Sequence, residues 1–443
     1  MQKANLQNHQ ASASFSMQFE ESAPKTFLGM EMRKRDVFSS LLSLFGATFG
    51  IGSLGLSASM AQVGIIGWVL LYVLAIFVNF ATFESLIYFA DKLGLVNYVD
   101  ISKIVGGQKT RTVLLSLFFV TNIGILLSAA VVYNGLICDI VSELGATSIY
   151  FTNRLSLFWL VVPGLVLVPI LIKRKLKDVA FLTVISLASA FYVVFFLFIS
   201  LAWLNHRAPE KNVSPVLLNI LNAPGTFAYL LFTLLCQPNI MSIYSELSVK
   251  TVPNMRRILV LHLIFMSCIY LCMSAFGYAL FYDKDKVAES TILELFHGQK
   301  NSLLLIANLL MTISALNSFI FSFKPLKDTL IQLLQQSKED NLEAEEKSEE
   351  SDYDPLNVSV TLCLLCFMLI VSGILVLNDI KFLEIIDLLC NIVIPILFIF
   401  LPIYAYTKHV KNIWSLAAFG FAAVLYLWKM SEYGWSLGKM IFS

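Results

Sequence analysis

About eleven apolar runs of lipid-spanning length, separated by short polar breaks, leave this chain few folds to choose from. A helix that crosses the hydrocarbon core needs about 20 apolar residues. The runs cover roughly 37–62, 65–90, 111–139, 155–172, 179–204, 226–246, 256–281, 301–323, 356–378, 380–405 and 412–430. Hydrophobic residues make up 58% of the 443 and charged residues only 14%. A water-soluble chain of this size has no interior large enough for so much apolar surface, so most of it is solvated by lipid. Backbone groups in lipid must be paired inside their own segment, which makes the runs helices and the fold class an all-α integral membrane protein.

Several function classes drop out at once. The net charge of +1 gives no ground for a nucleic-acid partner. The seven cysteines lie mostly inside apolar runs, and "CLLC" at 363–366 reads as apolar filler rather than a redox or metal motif. No His/Asp pair or cluster of metal ligands stands at membrane depth, so no enzyme and no cofactor are expected. Nothing resembles a selectivity filter or a ring of charge, which sets a channel aside.

The polar segments organise the rest. Residues 1–35 carry charges of both signs with no short apolar segment before Val37, so they read as a cytosolic tail of low structure, with the first helix as signal anchor. The stretch at about 328–354 contains "SKEDNLEAEEKSEESDYD" and reads as an acidic, solvated cytosolic linker. A cytosolic N-terminus puts "MRKR" (32–35), "KRKLK" (173–177), Arg256, Arg257, Lys324, Lys327, Lys408 and Lys411 on the cytosolic side, where basic residues concentrate. It places 205–222, with the acceptor pattern "NVS" from Asn212, on the far side. The tail at 431–443 is then non-cytosolic.

"GATFGIGSLGLS", residues Gly46 to Ser57, interrupts the first apolar run. Each glycine weakens a helix interior by about 1 kcal/mol relative to alanine. Glycines at spacing four also let two helices pack closely, and one run alone does not separate packing from unwinding. The sixth run tips the balance towards unwinding, with a simple proline kink as the alternative. It reads "FAYLLFTLLCQPNIMSIYSEL" (227–247), with Pro238 removing a donor at mid-span between Gln237 and Asn239. Interrupted helices one and six are what two inverted five-helix repeats produce. The repeats fall at about 36–204 and 226–405, and an extra helix at about 411–430 completes a transmembrane domain over 36–430. Unwound backbone offers N–H groups to a carboxylate and carbonyls to a cation.

These residues resemble the amino acid/auxin permease family, which includes the sodium-coupled neutral amino acid transporters. "GIGSLGLSASMAQVG" (50–64) keeps the family's glycine and leucine spacing. "LVPILIKRKLKDVAFLTVIS" (167–186), "FTLLCQPNIMSIYSELSVKTVPNMRRIL" (232–259), "FGYALFYDKDKVAESTILELF" (276–296) and "FIFLPIYAY" (398–406) follow in family order. The likeness covers nearly all of 37 to 410. It implies a LeuT-type 5+5 inverted repeat plus an eleventh helix, alternating access, and a site at the bilayer midplane. The chain departs from the family pattern at Gly46 (usually Asn), Ser57 (usually Pro) and Gln237 (usually His).

The expected substrate contacts are Thr48, Gly50, Ile51, Gly52 and Ser53 on the first break, with Cys236, Gln237 and Asn239 beside the Pro238 break. Neither break carries Asp, Glu, Lys or Arg, which points to a neutral amino acid because an unpaired charge there is costly. The resemblance places a coupling cation on carbonyls near Gly46 and Phe49 and on Ser314 and Ser318, which share a face of the eighth helix in "MTISALNSF". Na+ and H+ both remain open as the coupling ion, with Glu84, Asp387 and His262 the titratable groups to consider for a proton. Asn391 lies one turn beyond Asp387. Glu246 could pair with Lys250, Arg256 or Arg257 as part of an inner gate. The expected protein is a monomeric secondary transporter in the plasma membrane or an endolysosomal or vacuolar membrane. A nutrient sensor on the same fold is the alternative.

Overall fold

Glycine and proline, rather than polar loops, divide the helices around the centre of the structure. The structure is a computed structural model and describes residues 34–96, 98–101, 107–145, 167–172, 180–204, 219, 222–280, 291–296, 301–339, 355–377 and 395–409, with isolated positions near 420. Helix α1 (Lys34–Thr48) stops at Phe49 and Gly50. A short 3-10 turn (Ile51–Gly55) follows and leads directly into α2 (Leu56–Leu93). Gly64 splits α2 with φ 79° and ψ 169°, a conformation essentially reserved for glycine. The expected boundary between the first two apolar runs, at 62 to 65, falls on this residue.

The other long helices are α3 (Gly107–Glu143), α4 (Ala180–Leu204), α5 (Ala223–Thr233), α6 (Gln237–Ser245), α7 (Val252–Leu280), α8 (Ser302–Glu339) and α9 (Pro355–Leu377). A π-helical turn (Pro395–Phe400) then runs into α10 (Leu401–His409). Helices α5 and α6 are the two halves of the expected sixth run, parted at Leu234–Cys236 and restarted by Pro238 in the first turn of α6, where a missing N–H costs nothing. Among the described residues seven helical segments are long and apolar enough to cross a membrane, and none is a strand. The expected spans at 155–166, 380–394 and 412–430, with Asp387 and Asn391, lie outside the described residues, apart from isolated positions. So do Asn212–Ser214 and most of the acidic linker.

One boundary differs from expectation. The linker was placed from about 328, but α8 continues to Glu339. Leu326, Lys327, Thr329 and Ile331 remain buried there, so the helix still has a face to cover after its lipid-length part ends.

Apolar side chains cover the outside of the bundle as well as filling its core. Leu70, Val73, Phe195, Ile264 and Ile370 point outward, with Leu70 63% exposed, whereas Asn79, Thr82, Ser189, Thr226 and Asn317 are fully buried. Hydroxyls inside largely bond to carbonyls of their own helix, as Ser128 does to Gly124 (2.8 Å) and Thr312 to Asn308 (2.7 Å). Helix α8 packs along α3 and α4, while α7 packs along α2 and α4. Helix α1 packs against α4, α7 and α8, α6 packs against α2, and α1 and α6 contact each other.

Two clusters fasten one end of the bundle. Arg256 at the start of α7 makes a two-pronged ion pair with Glu84 on α2, at 2.5 and 2.6 Å. Of the three expected partners of Glu246, Arg256 is engaged by Glu84, and Glu246 itself stands at the C-cap of α6. Nearby, Tyr244 of α6 donates to Asp91 of α2 (2.7 Å). The buried Lys327 amine donates to the carbonyls of Leu171 (2.6 Å) and Ile172 (3.2 Å), and Asn357 of α9 also reaches Ile172 (2.9 Å). Both carbonyls belong to the helical segment 167–172, so the cation is held there by main-chain oxygen.

Candidate functional site

The last helical bond of α1 runs from the Phe49 N–H to the Phe45 carbonyl (2.7 Å). Beyond it the chain turns extended at Gly50, with φ 177°. Among the described residues the N–H groups of Gly50, Ile51 and Gly52 carry no hydrogen bond, and the carbonyls of Gly46, Ala47 and Phe49 have no donor. Other carbonyls of this stretch are covered by side chains or by the turn. Gly50 accepts from the N–H and the hydroxyl of Ser53 (3.0 and 2.7 Å). Gly52 accepts from the Tyr229 hydroxyl (2.5 Å) and Thr48 from the Tyr270 hydroxyl (3.2 Å).

Glycine at position 50 is a steric requirement. A Cβ there would overlap the Ser318 hydroxyl of α8. At Gly46 it would meet Phe321 of α8 and the Thr183 hydroxyl of α4, each at 2.7 Å. Thr183 and Ser314 are both fully buried, with hydroxyl oxygens that have no partner among the described residues.

The second break sits across from the first. Gln237 is fully buried and uses both ends of its amide. Its Oε1 accepts from the Cys236 N–H (2.9 Å), and its Nε2 donates to Asn79 Oδ1 (2.6 Å) on α2. Asn239 N–H closes the turn onto the Cys236 carbonyl (3.0 Å).

A cavity opens between the breaks, with about 570 Å³ of space between protein atoms including its open mouth. Ala47, Thr48, Gly50, Ile51 and Gly52 form one wall. Phe232, Thr233, Leu235, Pro238 and Asn239 form the opposite one. Asn122 and Ile125 of α3 and Ser318, Phe321, Ser322 and Pro325 of α8 close the remaining sides. No Asp, Glu, Lys or Arg is among these residues. Pro325 has no N–H for the Phe321 carbonyl one turn back, so the wall on α8 also offers backbone oxygen.

Of the expected contacts, Thr48, Gly50, Ile51, Gly52, Pro238, Asn239 and Ser318 come together on the cavity. Ser53, Cys236, Gln237, Gly46, Phe49 and Ser314 do not line it. Ser53 turns back onto Gly50, and Gln237 props the break against α2 instead of facing the cavity. Gly46 lies within α1, so unwinding begins three residues later than its place in the glycine series implied. Sequence reasoning did not single out Asn122, Ile125, Phe321, Ser322 or Tyr270. The polar Asn122 inside an apolar run was the readable signal; the apolar and aromatic positions gave none.

With this geometry in view, the comparisons decide the family. A family profile described as "Transmembrane amino acid transporter protein" matches residues 33–431. The chain belongs to this family. Its fold is the LeuT type. Among solved structures it is similar to MhsT in complex with L-phenylalanine, at TM-score 0.59 and 12% identity, over 89% of this chain and 97% of that one. It is also similar to a substrate-bound, outward-open Na+-coupled sialic acid symporter, at TM-score 0.55 and 10% identity, over 88% of each chain. This membrane transporter family and LeuT-type fold agree with what the sequence resemblance implied.

Proposed function

We propose that this chain is a secondary transporter that carries a neutral amino acid by alternating access, coupled to a Na+ or H+ gradient, with its N-terminus in the cytosol. The observation that carries the reading is the pair of unwound stretches on one uncharged cavity. The N–H groups of Gly50, Ile51 and Gly52 are donors for a carboxylate. Thr48, Asn239 and the Asn122 amide oxygen offer polar partners without net charge, which suits an amino acid whose side chain is neutral.

A cation has its own set of groups nearby. The carbonyls of Gly46, Ala47 and Phe49 lack donors, and the Ser318, Ser314 and Thr183 hydroxyls belong to the helices packed against this stretch. Oxygen ligands without net charge suit Na+. The titratable alternatives are less available: Glu84 is held by Arg256, and His262 is bonded to Thr48. The Na+-coupled symporter of similar fold is in keeping with this preference. A monomer in the plasma membrane or an endolysosomal or vacuolar membrane completes the reading.

The test is uptake by the full chain in proteoliposomes offered a mixture of labelled amino acids, with Na+ and H+ gradients imposed separately. Gradient-driven accumulation of a neutral amino acid is the expected result. Saturable binding with no accumulation under either gradient would overturn transport in favour of sensing.

A further inference from the structure

In an unbroken helix the Thr48 carbonyl would accept from residue 52 and the Thr233 carbonyl from residue 237. Both bonds are lost to unwinding, and at membrane depth each carbonyl needs another donor. One group serves both. The Tyr270 hydroxyl lies 3.2 Å from the Thr48 oxygen and 3.0 Å from the Thr233 oxygen. A phenol carries a single proton, so the hydroxyl either shares it or alternates between the two carbonyls.

Tyr270 stands on α7, which belongs to neither broken helix. It is fully buried, and its ring packs against Phe49 with centroids 6.4 Å apart. About two turns earlier on α7, His262 Nε2 lies 3.0 Å from the Thr48 hydroxyl oxygen. That hydroxyl gives its own proton to the Leu44 carbonyl (2.9 Å), which leaves His262 as the donor. Thr48 is therefore held through its main chain and its side chain by one helix, and Thr233 is held by the same helix.

We infer that Tyr270 is a positioning residue of the site: its hydroxyl fixes the spacing between the two unwound stretches, so that the Gly50–Gly52 donors and the Pro238–Asn239 wall address one ligand. The kinetic consequence rests on the transport reading; the structural consequence does not. Removing the hydroxyl leaves both carbonyls without their donor, and the two stretches relax independently. The ligand must then assemble its own site, which weakens binding more than turnover.

The experiment uses the full chain in proteoliposomes with Tyr270→Phe, which keeps the ring and its packing. Cys236, fully buried at the second break, is a native reporter. Its modification by a small methanethiosulfonate reagent is followed at that residue by peptide mass spectrometry, so the other cysteines do not interfere. Tyr270→Phe is expected to speed Cys236 modification about threefold or more and to raise KM for uptake about two- to tenfold, with the maximal rate within about twofold of wild type. His262→Leu, which removes the donor to the Thr48 hydroxyl and leaves that hydroxyl beside the Cys236 thiol in place, is the second variant and is expected to shift labelling less, in the same direction; a larger shift than in Tyr270→Phe would overturn the inference. Cys236 modification at the wild-type rate in Tyr270→Phe would overturn the inference, whether or not the protein transports. Faster modification with unchanged KM in a transporting protein would overturn it as well. If wild type fails to accumulate substrate, the transport reading falls and the labelling still decides the role of Tyr270.

Discussion

Gly50→Ala is the smallest change that tests the geometry of the first break. The added methyl would occupy the place of the Ser318 hydroxyl and lie 2.9 Å from Ser318 Cβ. Backbone strain contributes little, because φ at Gly50 is 177° and extended. The cost is therefore one of overpacking, about 1–3 kcal/mol, which is a 5- to 150-fold shift against the arrangement in which α1 and α8 meet. Thermal unfolding of the purified protein in detergent should show the loss, and uptake should fall with it. The clash names its own cure. In Gly50→Ala/Ser318→Gly the nearest remaining atom is the backbone Cα of residue 318 at 3.9 Å, an ordinary contact. Because Ser318 is also a proposed ion ligand, recovery is read in stability rather than in uptake. A Gly50→Ala protein as stable as wild type would refute the steric argument. So would a double variant that recovers none of the loss.

Three further outcomes follow from the same contacts. Gln237→Leu leaves the Cys236 N–H and Asn79 Oδ1 without their partner and should cost about 1–3 kcal/mol of stability, seen as a lower melting temperature. A raised KM at unchanged stability would instead place Gln237 in contact with substrate. Lys327→Met strips the donor from the Leu171 and Ile172 carbonyls and should lower stability by about 1–3 kcal/mol, with little sensitivity to salt because the amine is buried. An unchanged melt in low and high salt would show that the cap is dispensable. Ser314→Ala should raise the half-saturating Na+ concentration for uptake while leaving amino acid KM at saturating Na+ near wild type; equal Na+ dependence would remove Ser314 from the proposed ion site.

The places where helices stop were legible because their causes are local. Gly50, Gly52 and Pro238 act on their own backbone, and the breaks appear beside them. Gly64 likewise falls between two apolar runs and carries the turn between them. Contacts between helices were harder to read. Gln237 beside Pro238 looked like a substrate ligand, yet its amide is used by Asn79, more than a hundred residues away in sequence. Tyr270 sits in "CIYLCMSAFGY", where one tyrosine looks like any other on an apolar helix. Its importance arises only because α7 passes both breaks. The end of α8 was misplaced for a related reason: beyond the lipid-length run, its helix is kept by burial against neighbouring segments rather than by hydropathy.

The turn at Gly64 has a mechanical side. The two parts of α2, 56–63 and 65–93, are joined through a single residue, without a loop to absorb slack. The Val63 carbonyl at that corner accepts from the Asn219 N–H (2.8 Å), and the Gln62 carbonyl from Asn222 (3.3 Å). Such a joint transmits torque. Any tilt of 56–63 is delivered to the rest of α2 as the swing of a stiff arm about 40 Å long, at 1.5 Å per residue from Gly64 to Leu93, whose far part bears Glu84 and Asp91. A tilt of a few degrees beside the first break therefore becomes a displacement of ångströms at the far end of α2.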